Sequence, residues 1–530
     1  MYAMGGTEAQ ARRKSGGGSF REERSYPGAR AQGSTARMQG PARVLSRVLS
    51  AWAWLAFGAT LTLEPGTARA EEWLISGARH HGLGGAGVAA ARGAQAAQWN
   101  PAALAFEPRI FEIEVPLSFT LSAEGDLLEN GARLANFVDG TDYDDVLDKI
   151  DAGQTLTEEE LQQTLLFSTG VLPGFSERGQ GGFGFVDGGL SLRLGGVVLS
   201  YRSQLIAGID PRLDPTGLAF TDEDLALGSI IATPEDRTGQ FMNPGSAALA
   251  SALVAASGDL TQAQAEEIAF QAEQAGIDTS DAGVQGFLTG LASSSGRPGQ
   301  QNQTGARIRG LYTKELSLAF GFPLIEERLS LGFNLKYIHG TTVNKVILAD
   351  DDEPRSIGTS DRRRSRQLGI DFGVLFEPTD QVRLGLSVRN ANRPSFKTRR
   401  GTPIVLDAQV RAGAAYQVSD RWLVTADLDL VENDFESIRD LESQTFAIGT
   451  EYRAAFFGRS VDLRLGLRRN LAESLRDDAV LTAGLGLYLG RFHFDVAIAS
   501  GLEREEVDVV GIDVPDRIDL AFTLRYSTEF

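Results

Sequence analysis

A chain of 530 residues with mean hydropathy −0.14, 61 glycines and a net charge of −19 can hold two or three ordinary domains, or one large barrel with insertions. Beyond the N-terminal region no stretch approaches the ~20 apolar residues of a spanning helix, and the acidic balance offers no basic footprint for nucleic acid. The lack of cysteine removes thiolate catalysis, thiolate zinc sites and a disulfide framework.

Residues 1–37 are rich in Gly, Ser and Arg and read as a disordered leader. From Met38 the pattern changes. Arg43 and Arg47 precede an apolar run from Val48 to Leu63, which ends in Thr67-Ala68-Arg69-Ala70. A charged start, an apolar middle and a small-residue site describe a signal peptide over 38–70, with Met38 as the expected start and Glu71 beginning the mature chain.

The next stretch, Ser76 to Val88, carries Gly82, Gly84, Gly85 and Gly87 and runs on to Trp99-Asn100-Pro101-Ala102-Ala103-Leu104. Gly82, Gly84 and Gly87 satisfy the spacing G-x-G-x-x-G. A dinucleotide site would need a strand before this run and a helix and parallel strand after it. A signal peptide precedes it instead, so the spacing is read as a decoy and the small residues as a means of tight packing. This GARxxGLGGAGVA run leading into WNPAAL resembles the N-terminus of the FadL-type outer-membrane superfamily. That superfamily includes fatty acid and hydrocarbon channels, PorV-like secretion components and a TraF-like conjugal transfer branch. The resemblance implies a hatch over 71–107, with Gly82, Gly84, Gly85, Gly87, Trp99, Asn100, Pro101 and Ala102 in the segment that moves.

From residue 108 onward the chain alternates with a period of two, the mark of strands. In the last run, Ile518, Leu520, Phe522, Leu524, Tyr526 and Phe530 share one face, with Arg517, Asp519 and Arg525 on the other. Similar runs begin near Arg109, Gly189, Val197, Ala306, Leu329, Leu368, Val382, Ile404, Trp422, Phe446, Val461, Ala479 and Phe492. The expectation is all-β: a transmembrane, antiparallel, up-and-down barrel of about fourteen strands, each near the ~9–11 residues that cross a bilayer. With the N-terminus in the periplasm, one set of connections is short, as at Gly195-Gly196, Pro378-Thr379-Asp380 and Gly490-Arg491. The other set is long and charged, with insertions over 124–180 and 209–304. A soluble sandwich has no reason to sort its loops by parity. Ala454 to Arg459, read as a looser turn, fits least well.

The insertions carry helical patterns: a capping-box spacing at Thr157 and Glu160, then runs over Ala247–Ala256 and Thr261–Ala275, with a flexible linker from Ser293 to Gly299. They read as small surface subdomains.

Charges on the face opposite the apolar one fix which side is inward, because a charge facing lipid is costly. Arg383, Arg389, Asp407, Arg411, Asp427, Asp429, Glu451, Asp462, Arg464, Arg468, Asp519 and Arg525 are the expected lumen wall. Their mixed signs suggest salt-bridged walls packed around a plug. Trp422, Tyr337, Tyr416, Tyr452, Tyr526 and Phe530 are the expected aromatic girdle, and Phe530 is also the aromatic end that a barrel-assembly machinery would read.

No catalytic constellation emerges. His80 and His81 are adjacent and, read as a strand, point apart with no carboxylate near. His493 lies close to Asp495, but nothing supplies nucleophile, base and orienter together. Asp350 to Glu353 lacks EF-hand spacing. No enzyme activity, cofactor or metal is expected. Expected partners are outer-membrane lipid, a hydrophobic small molecule and an envelope secretion component. By the resemblance the role is passive uptake of a hydrophobic compound such as a long-chain fatty acid or hydrocarbon. The alternative is a non-transporting PorV-like or TraF-like scaffold. A lumen with an apolar groove would favour uptake, and one filled with salt bridges the scaffold.

Overall fold

The computed structural model describes residues 72–106, 110–141, 143–176, 179–212, 227–231, 237, 240–294, 305–325, 328–348, 358–399, 401–434, 438, 441–472, 479–507 and 512–529. Residues 1–71, which hold the expected leader and signal peptide, Asp350 to Glu353 and Phe530 lie outside the described residues.

Fourteen antiparallel strands close into one barrel in sequence order. They are β1 (Ile110–Glu124), β2 (Gly181–Leu194), β3 (Val197–Arg212), β4 (Gly305–Ile325), β5 (Leu329–Leu348), β6 (Arg362–Thr379) and β7 (Val382–Arg389). The second half is β8 (Gln409–Ser419), β9 (Trp422–Asp429), β10 (Thr445–Phe456), β11 (Arg459–Asn470), β12 (Ala479–Leu489), β13 (Phe492–Gly501) and β14 (Arg517–Glu529). The cylinder shuts where β1 meets β14, in register from Ile110 opposite Glu529 to Ser122 opposite Arg517.

The alternation is inverted relative to a soluble protein. Leu465 is 60% exposed, whereas its neighbour Arg464 is 2% exposed. Leu121 is 56% exposed and Thr120 3%. Apolar side chains out and charges in is the arrangement of a transmembrane barrel, because lipid tolerates the first and penalises the second. Trp422 and Tyr452 are cross-strand partners on the outer face, and both are exposed, as are Tyr416 and Tyr337; Tyr526 is half-buried.

The connections sort by parity as expected, and the one misfit disappears. Strand β10 runs on to Phe456 and β11 starts at Arg459, so only Phe457 and Gly458 turn the chain, both with positive φ (47° and 72°). Two left-handed residues match the twist of a hairpin, and the junction is as tight as its neighbours.

Three expected boundaries are corrected. Strand β2 starts at Gly181, because Phe183 and Phe185 continue its inward face. Strand β8 starts at Gln409; Ile404–Val405 instead pairs with Ser395–Phe396 as a separate ribbon. That ribbon buries Phe396 and Ile404 against Leu311 and Ile338. Ser293 and Ser294, expected in a linker, instead close a further helix, Ala282–Ser294.

The two insertions share one apolar core, with Val146, Leu161 and Leu165 from the first and Leu249, Leu253, Ile268 and Leu288 from the second. Thr157 and Glu160 form the capping box on Glu158–Leu166, and Arg237 bridges the insertions by pairing with Glu267 (2.7 Å) and Glu158 (3.0 Å).

Candidate functional site

Residues 72–106 lie against the inner wall of the barrel, and almost all are buried. Short helical turns at Ala78–Gly82, Gly93–Gln95, Ala96–Trp99 and Pro101–Ala105 alternate with irregular chain. No strand precedes Gly82 among the described residues, so the G-x-G-x-x-G spacing has no βαβ setting here.

An irregular chain inside a barrel must find partners for its own backbone N–H and C=O groups, and the wall supplies them. Asp427 Oδ2 accepts from the Gly87 and Val88 amides at 2.7 and 2.8 Å. Glu112 accepts from Ala94 N (2.6 Å), Thr523 Oγ1 from Ala78 N (2.9 Å) and Ser118 Oγ from Gly77 N (3.2 Å). Arg389 donates to the carbonyls of Gln98 (3.0 Å) and Leu74 (3.2 Å), and Ser330 to that of Ala102 (2.8 Å). Asn100 caps the turn at Pro101–Ala105 through Ala102 N, while its amide donates to Val88 O (3.1 Å) and Val374 O (3.0 Å). An asparagine does both because its side chain carries a donor and an acceptor.

The charges converge on one carboxylate. Glu451 pairs with Arg79 (2.8 Å) and Arg92 (2.7 Å) of the inner segment and with Arg464 (2.7 Å) of the wall. Arg464 also pairs with Asp495 (2.5 Å) and Asp462 (3.2 Å), and Arg411 grips Asp429 with two bonds of 2.5 and 2.8 Å. Arg468 pairs with Asp519. The guanidinium carbons of Arg389 and Arg411 stand 3.8 and 4.6 Å from the Trp73 ring centroid.

The structure brings together most of the expected wall residues, Arg525 among them, and separates two. Asp407 is buried but lies between the ribbon and β8, paired with Arg393. Arg383 faces the short-turn mouth and pairs with Glu377 (2.7 Å). Arg525 donates to His493 Nδ1. His493 stacks on Tyr488 at 3.8 Å and stands 3.4 Å from Asp495. The reading of His80 and His81 as a strand pair is corrected: both belong to a helical turn. His80 stacks on Trp99 (4.4 Å), and His81 bonds Ile75 O (2.9 Å) with Asp519 3.8 Å away. Among the described residues no group of three or more His, Cys, Asp or Glu could hold a metal ion.

A belt of glycines escaped the sequence reading. Gly321 and Gly332 are cross-strand partners, as are Gly332 and Gly373, Gly385 and Gly413, and Gly449 and Gly466. With Gly484 they mark the inner face of strands β4–β8 and β10–β12. Each stands where the inner segment touches the wall. A Cβ at Gly385 would meet Val88 O at 2.9 Å, one at Gly413 Ala89 N at 3.0 Å, and one at Gly484 Gly82 Cα at 3.0 Å. The signal was available, because each glycine occupies the inward phase of its strand.

Cavities flank the segment on both sides. One of about 620 Å³ opens at the short-turn mouth, beside Arg79, Arg92, Glu112, Arg453 and Arg525. The other, about 80 Å³, lies on the long-loop side beside Arg202, Glu315, Lys336 and Asp371. Both are walled by charges of both signs.

The wall bonds predict a local effect of one substitution. Asp427→Ala should weaken the seating of the segment by about 3 kcal/mol, since hydrogen bonds to a charged group contribute ~1.5–3 kcal/mol each. Hydrogen exchange at Gly87 and Val88 should quicken while the strands stay protected. Unchanged exchange there would refute the anchoring role.

Residues 219–429 match the model of a family described as "F plasmid transfer operon, TraF, protein". The chain is similar to TraF there. Among solved structures it is similar to the CymD monoaromatic hydrocarbon channel, at 11% identity over 87% of this chain and 99% of that one, with a TM-score of 0.41. The toluene transporters TbuX of Ralstonia pickettii (11%, 86% and 98%, 0.39) and TodX of Pseudomonas putida (12%, 88% and 100%, 0.39) are also similar. No curated protein matches the chain.

Proposed function

We propose that the protein is an outer-membrane barrel that works with its lumen closed, as a partner in an envelope machine of the secretion or conjugal-transfer kind. The observation that carries this reading is the set of ion pairs at Glu451. Arg79 and Arg92 come from the inner segment, so the wall's charge is spent on holding the plug. The TraF match over 219–429 supports the conjugal-transfer side, and the shared helical subdomain offers a surface for protein contact. The test is a deletion strain assayed for labelled-oleate uptake and for conjugal or secretory transfer. Transfer should fall and uptake should hold at the parental rate. Lost uptake with normal transfer would overturn the proposal.

A second reading, passive uptake of a hydrophobic compound such as a long-chain fatty acid or hydrocarbon, is favoured by one observation. The lumen on the long-loop side holds Phe183, Phe185 and Ile206 packed on Ile438 and Leu441 of a loop. An apolar ligand could take the place of those two loop residues and would then meet the plug. The same uptake assay decides between the readings.

A further inference from the structure

The outward face of β4–β6 changes character across one row of cross-strand partners. Leu316, Tyr337 and Leu368 are mutual partners and close the apolar belt on the side of the long loops. One step farther from the short turns stand Lys314, His339 and Arg366, again partners in register. Arg364 and Arg362 follow on β6 in the same outward phase, and all three arginines are exposed.

Their height can be reckoned from strand geometry. From Phe376 near the short-turn end to Leu368, a rise of ~3.3 Å per residue on a strand tilted ~40° spans roughly 20 Å. The apolar band of such barrels is ~25 Å tall, so Arg366 stands at its upper edge and Arg364 and Arg362 above it. Arginines facing the hydrocarbon would be penalised, whereas at the headgroups they meet phosphate. Lys314 Nζ lies 5.9 Å from the Tyr312 ring centroid, and the Tyr312 hydroxyl accepts from Ser203 Oγ at 2.9 Å. Among the described residues no carboxylate lies within 4.0 Å of Lys314, Arg362, Arg364 or Arg366. In a chain of net charge −19 this is a concentrated cationic strip with no counter-ion among the described residues.

We infer that the outward face of β4–β6 binds the phosphates of an anionic glycolipid of the lipid A kind in the leaflet on the long-loop side. Arginine forks at alternate positions along β6 would engage successive phosphate oxygens in pairs, with Lys314 closing the strip on β4. The strip continues a lipid-facing surface, which favours a lipid over a soluble partner. The inference rests on the outer-membrane reading above.

The test uses the full chain refolded in detergent micelles and titrated with diphosphorylated and with dephosphorylated lipid A. The wild-type chain should bind the phosphorylated form at least tenfold more tightly. The triple variant R362E/R364E/R366E should lose that preference. A second variant, R362K/R364K/R366K, keeps the charge and should retain part of it. Equal affinity of the wild-type chain for both lipids overturns the site, whatever the variants do. So does an unchanged preference in the folded triple variant. Fractionation keeps the two proposals apart: recovery of the wild-type protein from the inner membrane would remove the outer-membrane reading, whereas equal affinities in micelles remove only the lipid site.

Discussion

Replacing Gly449 and Gly466 together by valine is expected to unseat the plug and let the barrel conduct. The two residues are register partners on β10 and β11, on the inward face. A Cβ at Gly449 would stand 2.7 Å from Leu83 Cα, and one at Gly466 2.5 Å from the Leu83 carbonyl carbon. Both obstacles are backbone, which cannot rotate aside as a side chain can. The backbone there is also committed, because Gly84 sits at φ 69° and a Cβ on it would stand only 2.9 Å from Leu467 N. Overpacking costs ~1–3 kcal/mol per site, and two intrusions against the same residue couple rather than add. Valine suits a strand, so the cylinder itself should persist. The double variant should show ion conductance in planar bilayers where the wild-type chain is nearly silent. A variant as silent as the parent, with the same thermal stability, would refute the belt as the plug's seat.

The largest loss of stability should follow Glu451→Ala. Its carboxylate answers three guanidiniums, and Arg79 and Arg464 are 4% and 2% exposed. Removing one side of a buried ion pair leaves the other charge uncompensated, at ~3–5 kcal/mol. Asp462 and Asp495 still answer Arg464, at 3.2 and 2.5 Å. The main burden therefore falls on Arg79, which also donates to Ala90 O (2.8 Å). Glu451→Gln keeps an acceptor oxygen and should lose less. The unboiled protein's folded band on a denaturing gel should vanish at a much lower temperature for the alanine variant, with glutamine between. If both variants held the parental temperature, the network would be ornamental.

Much of the barrel was legible because lipid imposes a strict rule on alternate residues. Leu465 beside Arg464 needs no tertiary knowledge to be placed outside and inside. Loop parity was legible for the same reason, since each short turn must return an in-phase strand. The junction at Phe457-Gly458 was misjudged because Phe457 at positive φ is unusual for an aromatic residue. Ile404 was assigned to a strand of the wall because a buried ribbon residue and a lipid-facing residue are both apolar. Only the pairing with Phe396 tells them apart. Among the site residues, the inward phase of Asp427 and Glu451 could be read, but not that one caps two amides and the other collects three arginines. Those partners, Arg464 excepted, lie hundreds of residues away in sequence. The glycine belt was overlooked because a glycine carries no hydropathy signal, and its meaning appears only when another backbone is laid against it.

The plug is tied to both strands that shut the cylinder. Gly77 N donates to Ser118 Oγ on β1, Ala78 N to Thr523 Oγ1 on β14, and Glu72 pairs with Arg517 (3.1 Å) at the far end of β14. Biogenesis is thereby a joint event: the first part of the sequence and the last must meet before either is fully satisfied. Lesions at this junction should surface as chains that never mature, whereas lesions at the belt, which lies on other strands, should surface as mature barrels that leak.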